Sequence, residues 1–340
     1  MLQGHQSWVF PSKPTILGTS AVVGPFEGKG PLATDFDIIH GDIWMEQDSF
    51  EKAERLLLEE ACDKAIEKSG VEKGSLNFYL AGDLINQITP SSFSARTLST
   101  PYMGLFGACS TSMLGLALAS QLVDSQAAEY VIAGTCSHNA TAEKQFRYPT
   151  EYGSQKPPTA QWTVTGAGAA VVGKKGTGPR VIRATMGRVI DMGMSDPFNM
   201  GGAMAPAAVD TIQAHFRDFG IDASEYDVIV TGDLGRVGHT IASDLLKKHN
   251  MPIPEEKFFD CGMLIYGDDP TVFSGGSGCG CCASVTYGHF MNRMRNGEIN
   301  KMLVIATGSL LSPLSYQQKE SIPCVAHAVA IEMGEGGMSQ

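Results

Sequence analysis

The sequence is poor in charge, and acidic side chains outnumber basic ones. Only 18% of the 340 residues are charged, and 36 Asp and Glu against 25 Lys and Arg give a net charge of −11. Dense runs of Lys and Arg are missing, which argues against binding to the phosphate backbone of nucleic acid. A hydrophobic content of 43% excludes an intrinsically disordered chain. No basic segment followed by an apolar core opens the chain, so we expect no secretory signal.

Cysteine is also sparse. Eight cysteines in 340 residues are too few for a disulfide-stabilised scaffold, and we expect reduced thiols. Cys279, Cys281 and Cys282 are clustered, but they lack the two-residue gap of a structural zinc site. No second pair of Cys or His lies at the spacing of a zinc finger. The sequence therefore gives no definite metal site, and it does not favour a structural zinc site at these cysteines.

Two long stretches contain no charged residue. One lies between Arg96 and Asp124, and the other between Asp269 and Arg293. Ser, Thr, Pro and Gly interrupt both stretches, which favours a loop leading into a buried helix over a membrane span. Each stretch is centred on cysteine, and this parallel indicates an internal repeat.

The repeat has two parts. At an offset of 150, the Gly-Asp-Leu sequence at 82–84 matches that at 232–234. Each copy follows an apolar strand, predicted at 76–81 and 226–231, and each strand follows a helical pattern that ends at glycine. At an offset of 173, the apolar strand at 131–133 matches 304–306, which sets Cys109 opposite Cys282.

Alternating strands and helices predict an α/β protein made of two duplicated βαβαβ-type halves, with parallel strands covered on both faces. We divide the chain into an N-terminal half, 1–185, which contains Cys109, and a C-terminal half, 186–340, which contains Cys282. Asp48 and Glu51 predict a capping box for the first helix. Pro206 predicts the start of the corresponding helix in the second half.

Residues 107–113 (Gly-Ala-Cys-Ser-Thr-Ser-Met) are the sharpest local signal. Small residues precede Cys109, and a long uncharged helix is predicted to follow it to about Leu122. The positive end of a helix lowers the pKa of a cysteine, and its free N–H groups bind anions. An inert cysteine at a tight packing point accounts for the same pattern, so both interpretations remain open.

Several long strings resemble the thiolase and ketoacyl-synthase superfamily, and more narrowly the stage V sporulation protein AD family of spore-forming bacteria. They occupy residues 80–84, 105–113, 137–143, 145–153, 204–208 and 318–324, within a resemblance that spans roughly 14–333. The resemblance implies a five-layer αβαβα thiolase-like arrangement with Cys109 on the floor of a central pocket. It also implies binding of pyridine-2,6-dicarboxylate (dipicolinate), either free or as its calcium chelate, during uptake into the developing spore.

The sequence departs from the enzyme pattern of this superfamily. Condensing enzymes pair the cysteine with a His and with a second His or Asn, both from the second half. Here residues 231–233 contain no His, and residues 275–280 contain neither His nor Asn. The resemblance thus implies a binding protein and no enzyme, because an acyl-transfer site needs a base and oxyanion donors. The alternatives are an acyl-transfer or condensing enzyme that uses Cys109 as nucleophile with His239 as its base, and a purely structural subunit.

Six residues are candidates for the dipicolinate site: Cys109, Asp83, Asp233, Arg147, His138 and Tyr148. Arg147 suits a carboxylate, because a guanidinium donates two parallel hydrogen bonds. Tyr148, with Phe146 and Tyr152, suits the pyridine ring. His138 follows a strand that often frames the pocket in this superfamily.

The two aspartates have two possible roles. Asp83 and Asp233 repel a bare dianion, so a ligand role for them requires a bridging calcium ion. They equally suit a structural role at the ends of their strands, as acceptors for turn N–H groups. No cofactor is expected, apart from calcium bound with the ligand.

The resemblance also implies partners. It places the protein beside other stage V sporulation A membrane proteins, and the fold usually forms homodimers. The sequence shows no membrane span or lipidation signal, so we expect peripheral association through partners. The expected location is the inner spore membrane, on its cytoplasmic side or spore core face.

Overall fold

A computed structural model describes residues 1–146 and 156–334 of the chain. The helices are α1 (Phe50–Ser69), α2 (Thr89–Leu98), α3 (Thr111–Asp124), α4 (Asn139–Phe146), α5 (Met200–Phe219), α6 (Gly235–Lys248), α7 (Cys261–Tyr266), α8 (Cys279–Ser284), α9 (Met291–Arg295) and α10 (Pro313–Gln317). The strands are β1 (Leu2–Gln3), β2 (Ser7–Val9), β3 (Thr15–Val23), β4 (Ile38–Ile39), β5 (Phe78–Gly82), β6 (Tyr102–Gly104), β7 (Tyr130–Ser137), β8 (Trp162–Thr163), β9 (Gly166–Gly173), β10 (Pro179–Thr185), β11 (Val228–Thr231), β12 (Phe258–Asp260), β13 (Gly276–Ser277), β14 (Lys301–Ser309) and β15 (Cys324–Met333). A π-helical turn, Val285–Phe290, joins α8 to α9.

The main sheet contains the same strand order twice. The first half is ordered β6-β5-β7-β9-β3 and the second β12-β11-β14-β15-β10. In each half three parallel strands are followed by two antiparallel ones. The halves meet where Thr15 of β3 pairs with Arg180 of β10. This order confirms the predicted α/β class and the duplication.

Strand register defines the repeat more sharply than the sequence does. Phe78 pairs with Val131 in the first half, and Val228 pairs with Met302 in the second. The first offset is therefore 150 (228 − 78), as predicted, but the second is 171 (302 − 131). The bulges agree with this equivalence, since β3 and β10 each break register at matching places, after Ile16 and after Val181.

The predicted match of Cys109 with Cys282 is consequently wrong by two residues. At an offset of 171 the counterpart of Cys109 is Gly280, and Cys282 lies further inside α8. The error has a physical origin: side chains alternate with a period of two along a strand, so a shift of two residues keeps the same face buried and the same apolar pattern.

β10 belongs to the second half of the main sheet. β10 corresponds to β3, because each pairs with the last strand of its own half at equivalent positions. The strand order of the sheet therefore starts again between Gly173, the last residue of β9, and Pro179, the first residue of β10, and the division of the chain at 185/186 stays a prediction.

The helices form three layers around the two halves of the sheet. α1 packs on β3, β7 and β9 outside the first half, and α5 packs on β14 and β15 outside the second. α3 lies between the halves and contacts both, and α8 packs beside it. The central core includes Met113, Leu116 and Val285. Separate cores lie under α1 and under α5, and the result is the five-layer αβαβα arrangement.

The helix ends agree with the sequence in part. Gly70 and Gly220 end α1 and α5 in the left-handed conformation that glycine favours, as predicted. The predicted N-termini are wrong. Ser49 caps α1, because its hydroxyl accepts from the N–H of Lys52. Asn199 caps α5, so Pro206 lies inside that helix. Within residues 1–146 and 156–334, no helix is both long and apolar enough to cross a bilayer.

Candidate functional site

Cys109 lies in a short 3-10 turn, Ala108–Ser110, that leads into the central helix α3. Ala108 adopts a left-handed conformation with φ of 48°, a strained geometry for a residue with a side chain. The turn is held from behind by the end of β14, where a Cβ on Gly308 would lie 2.3 Å from the carbonyl oxygen of Gly107. The structure thus confirms that Cys109 stands at the start of a central helix, where both halves meet.

A pocket opens beside Cys109. It contains about 520 Å³ of space free of protein atoms, counting its opening to solvent. It is lined by Leu84, Cys109, Ala142, Phe146, Thr163, Pro197, Met200, Ser277, Gly278, Ser309 and Leu311. Among these described residues the polar side chains are hydroxyls and one thiol, and none is charged. The pocket therefore has apolar walls with a few neutral polar groups, a composition typical of small-molecule sites.

Asp233 lies beside Cys109 and is held from two sides. The Thr307 hydroxyl donates to Oδ1 at 2.7 Å, and the N–H of Gly278 donates to Oδ2 at 2.9 Å. Burial raises the pKa of Asp233 to about 7, although the contacts with Thr307, Gly278 and Cys109 oppose the rise. Asp233 is fully buried and does not line the pocket. The carboxyl group of Asp233 influences the pocket through its contact with the Cys109 thiol.

The environment of Cys109 keeps its thiol protonated at neutral pH. Burial is the main cause that raises the pKa of this thiol well above its usual range, and electrostatic interactions with Asp233 and Cys279 raise it further. The N–H of Gly278 opposes this effect. Of the two interpretations that the sequence leaves open, this environment favours the inert buried cysteine, because burial and a neighbouring carboxylate outweigh the lowering of the pKa by the helix N-terminus.

The three clustered cysteines bind separate oxygen atoms. The Cys279 thiol donates to the carbonyl of Ala108 at 3.0 Å, and the Cys281 thiol donates to the carbonyl of Gly232 at 3.6 Å. Cys282 lies 3.8 Å from the Thr286 hydroxyl. All eight cysteines are free and buried. In the part of the chain that the structure describes, no cluster of three or more His, Cys, Asp and Glu side chains could hold a metal.

Asp83 serves a strand corner and not the pocket. Its Oδ1 accepts from the N–H of Ile85 at 2.8 Å, and its Oδ2 accepts from the N–H and hydroxyl of Ser91 at 2.9 and 2.6 Å. These contacts tie the end of β5 to the start of α2, which is the structural role that the sequence allowed. Burial raises the pKa of Asp83 to about 6. Asp83 is fully buried and does not line the pocket, so it does not present a calcium ligand there.

The candidate histidines also lie away from the pocket. His138 has Nε2 2.9 Å from the carbonyl of Ile43, its Nδ1 accepts from the N–H of Ala140, and burial lowers its pKa. His239 packs on the ring of Phe258 at 4.3 Å, and burial lowers its pKa as well. The structure therefore does not bring His239 to Cys109 as a base.

Two candidates cannot be placed. Arg147 and Tyr148 lie outside the described residues, as does Tyr152. Phe146, which directly precedes Arg147 in the chain, is the last residue of α4 and lines the pocket.

Sequence reasoning missed the hydroxyl residues of the site. Thr163, Ser277 and Ser309 line the pocket, and Thr307 binds Asp233. Each lies at or near the end of a strand. A correct assignment of the strand register would have shown that these strand ends converge on Cys109, and would therefore have identified the hydroxyl residues as part of the site.

Comparison with known proteins shows the family. A family model described as stage V sporulation protein AD matches residues 4–332. Stage V sporulation protein AD of Bacillus subtilis (strain 168) is 49% identical over 335 residues, which cover 98% of this chain and 99% of that protein. The match supports a role in stage V of sporulation.

Solved structures confirm the fold. The 3-oxoacyl-[acyl-carrier-protein] synthase III from Aquifex aeolicus VF5 has a TM-score of 0.57 at 13% identity, covering 94% of this chain and 99% of that one. An OleA variant from Xanthomonas campestris has a TM-score of 0.62 at 13% identity, covering 97% and 100%. At this level of identity the likeness shows a shared thiolase-like fold and nothing about activity. By sequence, the chain belongs to the stage V sporulation protein AD family.

Proposed function

We propose that this protein binds dipicolinate in the pocket beside Cys109 and acts in dipicolinate uptake into the developing spore, without condensation chemistry. The observation that carries the proposal is the partner of the thiol. Cys109 lies beside the carboxylate of Asp233, which disfavours the thiolate, and among the described residues no His or Asn lines the pocket to activate it. A pocket built around such a thiol holds a ligand and does not attack it.

The pocket composition suits a flat aromatic dicarboxylate. Leu84, Phe146 and Met200 supply apolar and aromatic contacts for a ring. The hydroxyls of Thr163, Ser277 and Ser309 supply donors for carboxylate oxygens. We assign the basic contact to Arg147, which follows Phe146 in the chain, and a ring contact to Tyr148.

The protonation state of Asp233 removes part of the repulsion that a dianion would meet. With a pKa of about 7, the side chain is about half neutral at neutral pH and fully neutral at pH 5. Dipicolinate binding should therefore strengthen as the pH falls from 8 to 6. An affinity that is flat or weaker over this interval would contradict the placement of the ligand near Asp233.

Titration calorimetry with dipicolinate, with and without calcium, tests the proposal directly. Benzene-1,3-dicarboxylate is the matched probe, since it keeps both carboxylates and lacks the ring nitrogen. Cys109→Ser should be tolerated, whereas Cys109→Trp should abolish binding because the side chain fills the pocket floor. If the Trp variant melts like the native protein and binds dipicolinate normally, the ligand lies elsewhere.

A role of Asp83 and Asp233 in calcium binding can be distinguished by experiment from their structural role as acceptors for backbone N–H groups. We propose that Asp83 and Asp233 do not bridge calcium to the ligand, because both side chains are fully buried and neither lines the pocket. Asp83→Asn should lower the melting temperature and leave any calcium dependence intact. Loss of calcium-dependent binding in this variant, with calcium-free binding retained, would restore the bridging hypothesis.

Arg147 is the decisive basic residue of the proposed site. Arg147→Ala should weaken dipicolinate binding by about 1.5–3 kcal/mol, as expected when a hydrogen bond to a charged group is lost. Arg147→Lys, which keeps the charge without the paired donors, should recover only part of the affinity. Equal affinities for all three proteins would remove Arg147 from the site.

The absence of condensation is tested with acyl-coenzyme A and acyl-carrier substrates. We expect no turnover, because loss of a single oxyanion donor already costs about a hundredfold or more in rate. Turnover that disappears in Cys109→Ala would establish the enzyme alternative.

We propose homodimers and peripheral attachment to the inner spore membrane through other stage V sporulation A proteins. Cell fractionation with and without those partners tests the attachment, and sedimentation of the purified chain tests the dimer. Recovery in the soluble fraction when the partners are present would contradict the attachment.

A further inference from the structure

The hydroxyl of Ser309 is a buried polar group without a hydrogen-bond partner among the described residues. Ser309 is the last residue of β14 and lines the pocket beside Cys109. The residue is 6% exposed, and its side-chain oxygen forms no hydrogen bond within residues 1–146 and 156–334. A hydroxyl that leaves water without gaining a partner destabilises the folded chain. Such a group in a pocket wall indicates that a bound ligand supplies its hydrogen-bond partner.

The strand holds Ser309 in this position. β14 pairs with β15 up to its last residue, where Ser309 lies opposite Cys324. The preceding residue, Gly308, lies so close to the loop before Cys109 that a Cβ would meet the carbonyl oxygen of Gly107 at 2.3 Å. The backbone that carries the hydroxyl is thus fixed between β15 and the Cys109 loop, and it cannot shift to find a partner within the protein.

The duplicated fold contains an internal comparison. At the offset of 171, the counterpart of Ser309 in the first half is His138. That side chain is satisfied inside the protein, by the carbonyl of Ile43 and the N–H of Ala140. The same place in the fold therefore accommodates a polar side chain with partners inside the protein, and the open hydroxyl is particular to the second half.

We infer that Ser309 recognises the ligand by donating its hydroxyl hydrogen to a carboxylate oxygen. The Cys109 thiol interacts with Asp233. Of the three hydroxyl residues in the pocket wall, Ser309 is the one whose buried side-chain oxygen has no hydrogen-bond partner among the described residues. The ligand class is an aromatic or aliphatic carboxylate that directs one oxygen at the end of β14. The identity of the carboxylate as dipicolinate rests on the proposed function.

Two measurements on Ser309→Ala test this inference. In the absence of ligand the variant should melt at a higher temperature than the native protein, because an unpartnered buried hydroxyl has been removed. In titration calorimetry with dipicolinate it should bind about ten- to a hundredfold more weakly. Ser137→Ala is the matched control for stability: its hydroxyl donates to the carbonyl of Val164 and accepts from the N–H of Gly280, so its removal should lower the melting temperature.

The outcomes separate the inference from the proposed function. If the native protein binds dipicolinate and Ser309→Ala binds it equally well, Ser309 is not a recognition residue, although the proposed function stands. If the native protein does not bind dipicolinate, the proposed function fails, and the ligand-free melting comparison decides the inference. A Ser309→Ala variant that melts below the native protein has lost a structural contact, which overturns the inference; one that melts above it supports an open hydroxyl.

Discussion

Replacing Asp233 by asparagine should change how the stability of this protein depends on pH. Asp233 is fully buried, and its pKa is raised from 3.8 to about 7. Above pH 7 the native protein must keep a buried carboxylate ionised. At about 1.4 kcal/mol per pKa unit, this costs up to about 4 kcal/mol relative to the unfolded chain. The neutral amide of the Asp233→Asn variant carries no such cost.

The direction follows from proton linkage. Between about pH 4 and pH 7 the folded chain keeps a proton on Asp233 that the unfolded chain has already released. The stabilisation from this proton is complete below pH 4 and is lost as the pH rises through 7. Between pH 5 and pH 8 the native protein should therefore lose about 2–3 kcal/mol that Asp233→Asn does not lose.

Chemical denaturation of both proteins at pH 5 and at pH 8 measures this difference. Other buried carboxyls titrate in both proteins and cancel when the two free energies of unfolding are subtracted. Asp83→Asn is the matched control at the equivalent corner, and its smaller effect, about 1 kcal/mol, follows from a pKa of about 6. If the free energies of unfolding of the native protein and Asp233→Asn differ by the same amount at both pH values, the assignment of a raised pKa to Asp233 is refuted.

Three further predictions concern the surroundings of the site. Gly308→Ala should destabilise the protein by about 1–3 kcal/mol in denaturation, because its Cβ would overlap the carbonyl of Gly107; Gly74→Ala, where no atom lies within 4 Å, should change stability by less than about 0.5 kcal/mol. Glu27→Gln should gain about 2 kcal/mol relative to the native protein between pH 5 and pH 8, since burial raises the pKa of Glu27 to about 7; a pH-independent difference would contradict this. Native Cys109 should react with iodoacetamide at pH 8 at least about tenfold more slowly than the unfolded chain, as followed by mass spectrometry, because its thiol is buried and its pKa is raised; equal rates would show an activated thiol.

Much of the fold is predictable from this sequence, because it depends on local patterns. The helix stops at Gly70 and Gly220, the paired Gly-Asp-Leu corners and the position of Cys109 before a central helix are all visible in the chain and present in the structure. The starts of the helices cannot be predicted in the same way, because several residues near each start can serve as the N-cap. Ser49 competes successfully with Asp48, and Asn199 starts its helix well before Pro206.

The site is less predictable than the fold, because its chemistry depends on contacts between the halves. The sequence indicates that Cys109 lies at a helix N-terminus, and that feature alone lowers a pKa. It does not show that Asp233, 124 residues later, lies against the thiol and raises its pKa together with burial. In the same way, Asp83 and Asp233 look alike in sequence, but Ser91 binds only the first.

The duplication has produced two similar corners and two helix starts, and of the two starts the first places its thiol, Cys109, in the pocket wall. In the second half the position that corresponds to Cys109 is Gly280, whose N–H donates to the hydroxyl of Ser137. A Cβ there would lie 2.3 Å from the carbonyl oxygen of Gly166, so the close packing of α8 on β9 leaves no room for a side chain. The two halves are therefore equivalent in backbone and different in function: the second helix start is closed by packing, and the first is left open at Cys109.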